Sequence, residues 1–159
     1  MKRPFSDYIS GIWRIERMIT DRLAGQSGSF IGTAILSGTA PLLRYVEEGT
    51  MTLGGAVLRA HRTYRWHCHP EGAEVFFDDG RPFHSFTLHD TAVTPLCGAD
   101  TYVGSYRFDG PDLWHITWQV SGPRKDYTHD STYRRAPITH LQSLQAAVHL
   151  ANNPPNEAH

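Results

Sequence analysis

Short turn signals recur along almost the whole chain, and their spacing constrains the fold more than any other feature. Glycine-containing stretches that favour turns include LSGTAP, EEGT, LGGA, DDGRP and SGPRKD. The runs between them are rich in Val, Ile, Thr, Tyr, Phe and Trp, as is typical of strands. The sequence therefore predicts an all-β protein, a sandwich or a barrel, with about nine strands. We place them at residues 11–20, 30–36, about 43–49, 57–69, up to 77, from about 83, 101–108, 113–121 and 127–135.

The connections between these strands are short, which favours antiparallel neighbours in sequence order. Such an up-and-down meander avoids exposed edges most easily by closing into a barrel of about eight to nine strands. The 159 residues suit one domain, with the barrel over residues 11–135. The stretch FSDYIS before the first strand is expected to form one short helical turn.

A helix is predicted over residues 138–150, after the last strand. Pro137 precedes it, and apolar residues recur at helical spacing at Ile138, Leu141, Leu144 and Val148. We expect this helix to pack on the outside of the barrel or on a partner. The tail, residues 151–159, is expected to be frayed.

Charge and composition exclude several classes of function. The formal net charge is -1 and the basic residues are scattered, so we expect no binding to nucleic acid. No apolar stretch is long enough to span a membrane or to serve as an export signal, so we expect a cytoplasmic protein with no membrane partner. Cys68 and Cys97 then read as free thiols, with a single disulfide between them as the alternative.

The strand at residues 57–69 ends in RTYRWHCHPEG, where His67 and His69 flank Cys68 and suggest a metal site. Alternation puts both histidines on the same face as Thr63 and Arg65, which is typical of a solvated face. The opposite face carries apolar bulk and is expected to point into the barrel. We therefore predict no metal site here.

Several ionisable and hydroxyl side chains fall on the same alternate strand positions as the predicted core, and are therefore expected to face inward. A stable core alone would be filled with Val, Ile and Leu, because buried charges cost several kcal/mol, on the order of the usual desolvation penalties, unless they are paired. The pattern therefore indicates a polar cavity, with a purely structural network, such as Glu47 with Arg62, as the alternative. The predicted ligand-binding residues are Arg17, Tyr45, Glu47, Arg62, Tyr64, Trp66, His84, Asp100, Tyr102, Tyr106, Trp118 and Lys125.

The residue types suggest a small anionic ligand that is partly apolar or aromatic. The guanidinium fork of arginine suits a carboxylate or phosphate, and tyrosine adds ring faces and hydroxyls. Lys125 lies in the SGPRKDY turn, where it either closes the cavity mouth over an anion or belongs to a solvated hairpin. His84 reads either as a satisfied structural histidine or as part of the cavity.

Two motifs carry a resemblance to known families. Gly11-Ile12-Trp13 in the first strand, with Arg134 and Arg135 at the end of the last, resembles the calycin signature of lipocalins and their relatives. In those barrels the arginine lies over the indole at the closed end. The series LRYVEEG, FFDDGRPFH, LCGADTYVGSYRF and GPRKDY, over residues 11 to about 135, resembles the bacterial domain of unknown function 6314 family. That resemblance implies a calycin-like barrel and brings no established activity.

Three functions remain as alternatives from the sequence. The first is a small-molecule-binding barrel without chemistry and without a cofactor. The second is a cofactor-free acid–base enzyme that resembles phenolic acid decarboxylases in residue types, with Glu47, Arg62, Tyr64 and Tyr102 as catalytic candidates. The third, metal or haem binding, has little support because the 10 histidines form no recurrent ligand set. A homodimer is an alternative to a monomer.

Overall fold

A computed structural model describes residues 3–137 of the chain, apart from the side chains of residues 96 and 97. The predicted helix over 138–150 and the tail over 151–159 lie outside the described residues. The expected helical turn is confirmed as α1. The elements are α1 (Phe5–Ile9), β1 (Gly11–Asp21), β2 (Gln26–Thr39), β3 (Leu42–Leu53), β4 (Ala56–His69), β5 (Gly72–Phe77), β6 (Pro82–Thr87), β7 (Ala92–Val93), β8 (Leu96–Cys97), β9 (Asp100–Phe108), β10 (Leu113–Gly122) and β11 (Lys125–Arg135).

The strands form one antiparallel sheet that curls into a nearly closed barrel. Ten of them lie side by side in the order β6-β5-β4-β3-β2-β1-β11-β10-β9-β7, and β8 pairs with β9 beside this path. The first and last long strands pair along their length, from Trp13 opposite Arg135 to Asp21 opposite Tyr127. The predicted meander is thus confirmed. The predicted count of about nine strands is too low, because the two-residue strands β7 and β8 are too short to show a period in the sequence.

One seam of the barrel has no strand pairing among the described residues, and it lies between β6 and β7. Side chains cover it instead. His84 of β6 hydrogen-bonds through Nε2 to the Tyr106 hydroxyl of β9 at 2.8 Å, and Phe86 stacks on Tyr106 with ring centroids 4.0 Å apart. The barrel wall is therefore held by side-chain contacts here and by backbone hydrogen bonds elsewhere along the sheet.

The alternation of β1 illustrates why these sequences form strands with one buried face. Trp13, Ile15 and Ile19 are buried, whereas Arg14 and Glu16 between them are exposed. Successive side chains of a strand point to opposite faces, so one set enters the barrel and the other meets solvent. Burial of the inner set is the main apolar contribution to folding.

Aromatic residues close one end of the barrel. α1 lies across this end, and Phe5 stacks on Trp66 and meets Phe86 edge to face. The Arg135 guanidinium lies over the Trp13 ring, 4.2 Å from its centroid. The Trp13 indole donates to the Ile9 carbonyl at 2.9 Å. Arg135 is therefore the arginine that takes the position over the first-strand indole, while Arg134 is exposed.

In the part of the chain that the structure describes, no helix is long and apolar enough to cross a membrane.

Candidate functional site

A cavity of about 70 Å³, counted as the space open to the centres of water molecules, lies inside the barrel. This is room for several waters or a small ligand. Its walls combine aromatic rings with a few charged and hydroxyl groups. The lining residues are Arg17, Tyr45, Glu47, Arg62, Tyr64, Trp66, Val75, Phe83, His84, Tyr106, Trp114, Ile116, Trp118, His129, Ser131 and Tyr133.

An ion pair between β1 and β3 forms one wall of the cavity. Arg17 donates from Nη1 to Glu47 Oε2 at 2.8 Å and from Nη2 to Glu47 Oε1 at 3.0 Å. Arg17 also donates from Nε to Ser131 Oγ at 2.7 Å. A two-pronged pair of this kind is among the stronger polar contacts in proteins. The two charges therefore neutralise each other inside the barrel.

Two glycines provide the space for the aromatic ring on which Arg17 lies. Gly32 and Gly49 face each other on β2 and β3, and the Phe30 ring lies against both. A Cβ at Gly49 would come within 2.8 Å of Cζ of Phe30, and one at Gly32 within 2.7 Å of its Cε1. The Arg17 guanidinium sits over this ring, 5.0 Å from the centroid. The glycines thus let Phe30 pack flat beneath the cation.

Tyr45 completes the hydrogen bonding of Glu47, and Tyr133 lies against the Tyr45 hydroxyl. The Tyr45 hydroxyl donates to Glu47 Oε1 at 2.5 Å and lies 2.7 Å from the Tyr133 hydroxyl. Burial alone would raise the pKa of Glu47, but the Arg17 guanidinium, helped by Arg62 and by the Tyr45 hydroxyl, holds that pKa at about 2. Glu47 is therefore ionised at neutral pH and both its oxygens are occupied. It is poorly suited to carry protons in a reaction, because a general acid or base needs a pKa near the working pH.

Arg62 is the second cation of the cavity, and it lies in a different setting. It stands directly opposite Glu47 in the β3–β4 register, but the carboxylate turns to Arg17 instead. Among the described residues, no carboxylate lies within 4.0 Å of Arg62, and its hydrogen bond is to the Tyr64 hydroxyl at 3.4 Å. The residue is exposed although it lines the cavity, which places it at the opening.

Arg62 stays protonated because the pKa of its guanidinium is raised. Tyr64 chiefly raises the pKa of the guanidinium, burial acts in the opposite direction, and Glu47 raises it further. Arg62 therefore carries a full positive charge at any ordinary pH. With Arg17 and Glu47 neutralising each other, the charged side chains of the cavity sum to one positive charge, provided that its two histidines are neutral.

Both cavity histidines are neutral. Burial lowers the pKa of His84 to about 3. Burial, together with the nearby Arg17 and Arg62, lowers the pKa of His129 to about 4. At neutral pH each ring is thus an uncharged donor and acceptor, and the excess positive charge of the cavity is that of Arg62.

Three buried nitrogens near the cavity have no hydrogen-bond partner within residues 3–137: Trp66 Nε1, Trp114 Nε1 and His84 Nδ1. All three are enclosed by neighbouring atoms, so a ligand would reach them only if side chains moved. The two indoles meet at a steep angle, 65°, with centroids 6.3 Å apart. Ring faces are weak acceptors that offset part of the cost of a missing hydrogen bond.

The structure brings together nine of the twelve predicted ligand-binding residues in the cavity lining. Their ligand-binding role stays a prediction. The other three, Asp100, Tyr102 and Lys125, share the inward parity but do not line the cavity. Lys125 pairs with Asp100 at 2.9 Å and donates to the Tyr102 hydroxyl at 3.5 Å. Tyr102 contacts the cavity indirectly, through the rings of Phe83 and Trp118.

Sequence reasoning missed the contribution of the last strand. His129, Ser131 and Tyr133 line the cavity from β11, and Phe83 does so from β6. The stretch THDSTY alternates, and alternation puts these three β11 residues on one face of the strand. The parity of Arg135, which the calycin resemblance points inward, would have identified all three.

Within the described residues, no group of three or more His, Cys, Asp or Glu side chains is placed to hold a metal ion. The His67 and His69 rings stack on the outer face of β4 with centroids 6.2 Å apart, as the alternation predicted. The thiol of Cys68 is buried and free.

Comparison with solved structures shows the same fold at low identity. The S-type phycobiliprotein lyase CPES from Guillardia theta superposes with a TM-score of 0.59 at 12% identity, covering 84% of this chain and 91% of that one. A protein of unknown function from the DUF3598 family of Nostoc punctiforme superposes with a TM-score of 0.53 at 12% identity, covering 82% of this chain and 49% of that one.

The family is settled by sequence. No curated protein matches the chain. A family model, however, matches residues 9–135, from the end of α1 to the last residue of β11. This span includes the whole barrel and every residue of the cavity lining. The chain belongs to DUF6314, a family of unknown function, and its fold is a nearly closed antiparallel barrel.

Proposed function

We propose that this barrel binds a small anionic organic molecule in its interior cavity, with Arg62 as the cationic anchor. One observation carries the proposal. Arg62 is charged, lines the cavity at its opening and has no carboxylate partner among the described residues, whereas Arg17 is fully paired. An unpaired guanidinium beside a low-dielectric cavity attracts a carboxylate or phosphate.

The aromatic lining suggests the rest of the ligand. Tyr64 stacks on Phe83 with centroids 5.8 Å apart, and Phe83 stacks on Trp118 at 5.3 Å. Such faces favour a flat, apolar group next to the anion. The volume of about 70 Å³ limits that group to a small one unless side chains move. A small aromatic acid fits these requirements.

Binding without chemistry is the preferred form of the proposal. The catalytic alternative needs Glu47 to move a proton, and this carboxylate is paired with Arg17 and has a pKa of about 2. It also needs Tyr102, which instead contacts Lys125.

The other expectations from sequence remain predictions. A cytoplasmic location agrees with the free Cys68 thiol. A monomer or homodimer, and the absence of nucleic-acid binding, stay predictions from the sequence.

The test is a set of matched probes in thermal unfolding. Benzoate and phenyl phosphate are expected to raise Tm with increasing concentration, because a ligand that binds only the folded state stabilises it. Benzamide, which has the same ring without the charge, is expected to have a much smaller effect. Arg62→Met should abolish the shift by benzoate.

The control lies on the same strand. Arg65 is on the outer face of β4, 57% exposed, and lies 3.7 Å from Asp78. Arg65→Met should keep the full response to benzoate. If benzamide stabilises the protein as well as benzoate does, or if the Arg62 and Arg65 variants respond alike, Arg62 is not an anion anchor.

A further inference from the structure

A short apolar stripe crosses the outer surface of the barrel. It consists of Ile12 on β1, Ile35 on β2 and Val46 on β3, which are direct neighbours in the sheet because Ile12 pairs with Ile35 and Ile35 with Val46. All three point away from the barrel core, since the residues that flank them in each strand point inward. Together they form a cluster separate from the main core.

The burial of this stripe is unusual for an outer face. Ile35 is 3% exposed and Val46 is 5% exposed. Outward apolar residues elsewhere on the same strands, Met18 and Ile31, are 63% and 58% exposed. Among the described residues, the apolar side chain that packs against Ile35 and Val46 is Ile12. The solvated face of these strands leaves Met18 and Ile31 largely exposed, so the burial of Ile35 and Val46 points to cover by a further segment.

The chain itself leaves the barrel beside the stripe. After β11 ends at Arg135, the backbone N–H of Ala136 donates to the Ile12 carbonyl at 2.9 Å. Residues 138–159 follow immediately. Their sequence repeats apolar residues at helical spacing, at Ile138, Leu141, Leu144 and Val148.

The length of the segment that follows β11 matches the width of the stripe. Neighbouring strands are about 4.8 Å apart, so the stripe from β1 to β3 is roughly 10 Å wide. A helix over residues 138–150 would be about 20 Å long, which is enough to cross the stripe from the side where the chain leaves β11. Met1 and Lys2, at the other terminus, are too few to cover it.

We propose that the segment 138–150 docks its apolar face on the outer stripe of Ile12, Ile35 and Val46 of its own barrel. The cover lies outside β1 to β3, the strands whose inner faces carry Arg17, Tyr45 and Glu47. Docking therefore supports the wall that holds the cavity's ion pair, without contributing to the cavity lining. This inference does not depend on what the cavity binds.

The test uses the full chain with methyl labelling of Ile, Leu and Val. NMR cross-peaks are expected between the methyl groups of Ile35 or Val46 and those of Leu141 or Leu144. The double variant Leu141→Ala/Leu144→Ala should shift the Ile35 and Val46 methyl resonances and lower Tm by roughly 5 to 15 °C. The matched control Gln142→Ala/Gln145→Ala, in the same segment, should leave both unchanged.

Two results would overturn the proposal. One is that the Leu141→Ala/Leu144→Ala variant leaves the Ile35 and Val46 resonances where they were. The other is that the cross-peaks appear between differently labelled copies in a mixed sample, because the stripe would then be covered by a second copy of the chain. Cross-peaks confined to one labelled chain support it.

Discussion

Two arginines face the same cavity and differ in what surrounds them. Arg17 is held on both prongs by Glu47, by Ser131 and by the ring of Phe30. Arg62, at the opening, has a single weak hydrogen bond to Tyr64 and no carboxylate among the described residues. The first arginine has its charge neutralised by the fold. The second has a charge that the fold leaves available, and the difference separates a structural role from a binding role.

The largest expected effect comes from breaking the paired side of this comparison. Glu47→Gln keeps the shape of the side chain but leaves the Arg17 charge buried without a counter-charge. Removing one partner of a buried pair costs about 3–5 kcal/mol. Urea unfolding at pH 7 should show a loss of this size in the free energy of unfolding.

The double variant Arg17→Met/Glu47→Gln provides the control. With both charges gone, no uncompensated charge remains, and the loss should be smaller than that of Glu47→Gln alone. A loss for Glu47→Gln under about 1 kcal/mol would mean that Arg17 is compensated by other groups, and the distinction between the two arginines would weaken.

The neutral His84 ring, which lines the same cavity as the two arginines, makes the stability of the protein depend on pH. Burial lowers the pKa of His84 to about 3, below its value of about 6.5 in an unfolded chain, so the folded state favours the neutral ring. This contribution is fully present above pH 6.5 and is lost as the pH falls toward 3. Between pH 7.5 and pH 4.5 it amounts to about 2–3 kcal/mol.

The variant His84→Gln keeps a polar group near Tyr106 and removes this titration. The difference in unfolding free energy between pH 7.5 and pH 4.5 should shrink by about 2 kcal/mol relative to the unsubstituted protein. It should not vanish, because His129, with a pKa of about 4, titrates in the same direction over the same range. An unchanged pH profile would show that His84 is not buried as a neutral ring.

Below pH 4.5 the loss of stability from the histidines is joined by a loss from Glu47. Its pKa is lowered to about 2, so its contribution is present above pH 4.5 and is lost as the pH falls toward 2. Measurements for His84 are therefore best confined to pH 4.5 and above, where the Glu47–Arg17 pair is intact.

The sequence predicted the faces of the strands better than the contacts between side chains. Period-two alternation placed Arg62, Tyr64, Trp66 and Cys68 on the inner face of β4, and they are there because a strand can bury only one set of alternate side chains in this barrel. Alternation fixes the face but not the depth. Asp100 and Lys125 have the right parity, yet they stand where β9 and β11 begin, beyond the cavity lining.

The pairing of Glu47 could not be predicted for a further reason. Arg62 is its direct cross-strand neighbour, and Arg17 is two strands away. The carboxylate turns to Arg17 because that guanidinium is fixed by Ser131 and Phe30 in the buried wall. The curvature of the barrel and the Gly32–Gly49 gap create that position, and neither can be read from alternation.

The smallest effect on stability is expected from removing the unpaired arginine, Arg62. Arg62→Met removes a charge that has no carboxylate partner among the described residues, and replaces its stem with an apolar side chain of similar length. The expected change in the free energy of unfolding in ligand-free buffer at pH 7 is within about 0.5 kcal/mol, as for most exposed substitutions. Arg17→Met, measured in the same way, should cost about 3 kcal/mol or more because it strands the Glu47 carboxylate in the core. If the two methionine variants lose similar amounts, Arg62 is bound into the structure as firmly as Arg17, and the cavity has no cation available for a ligand.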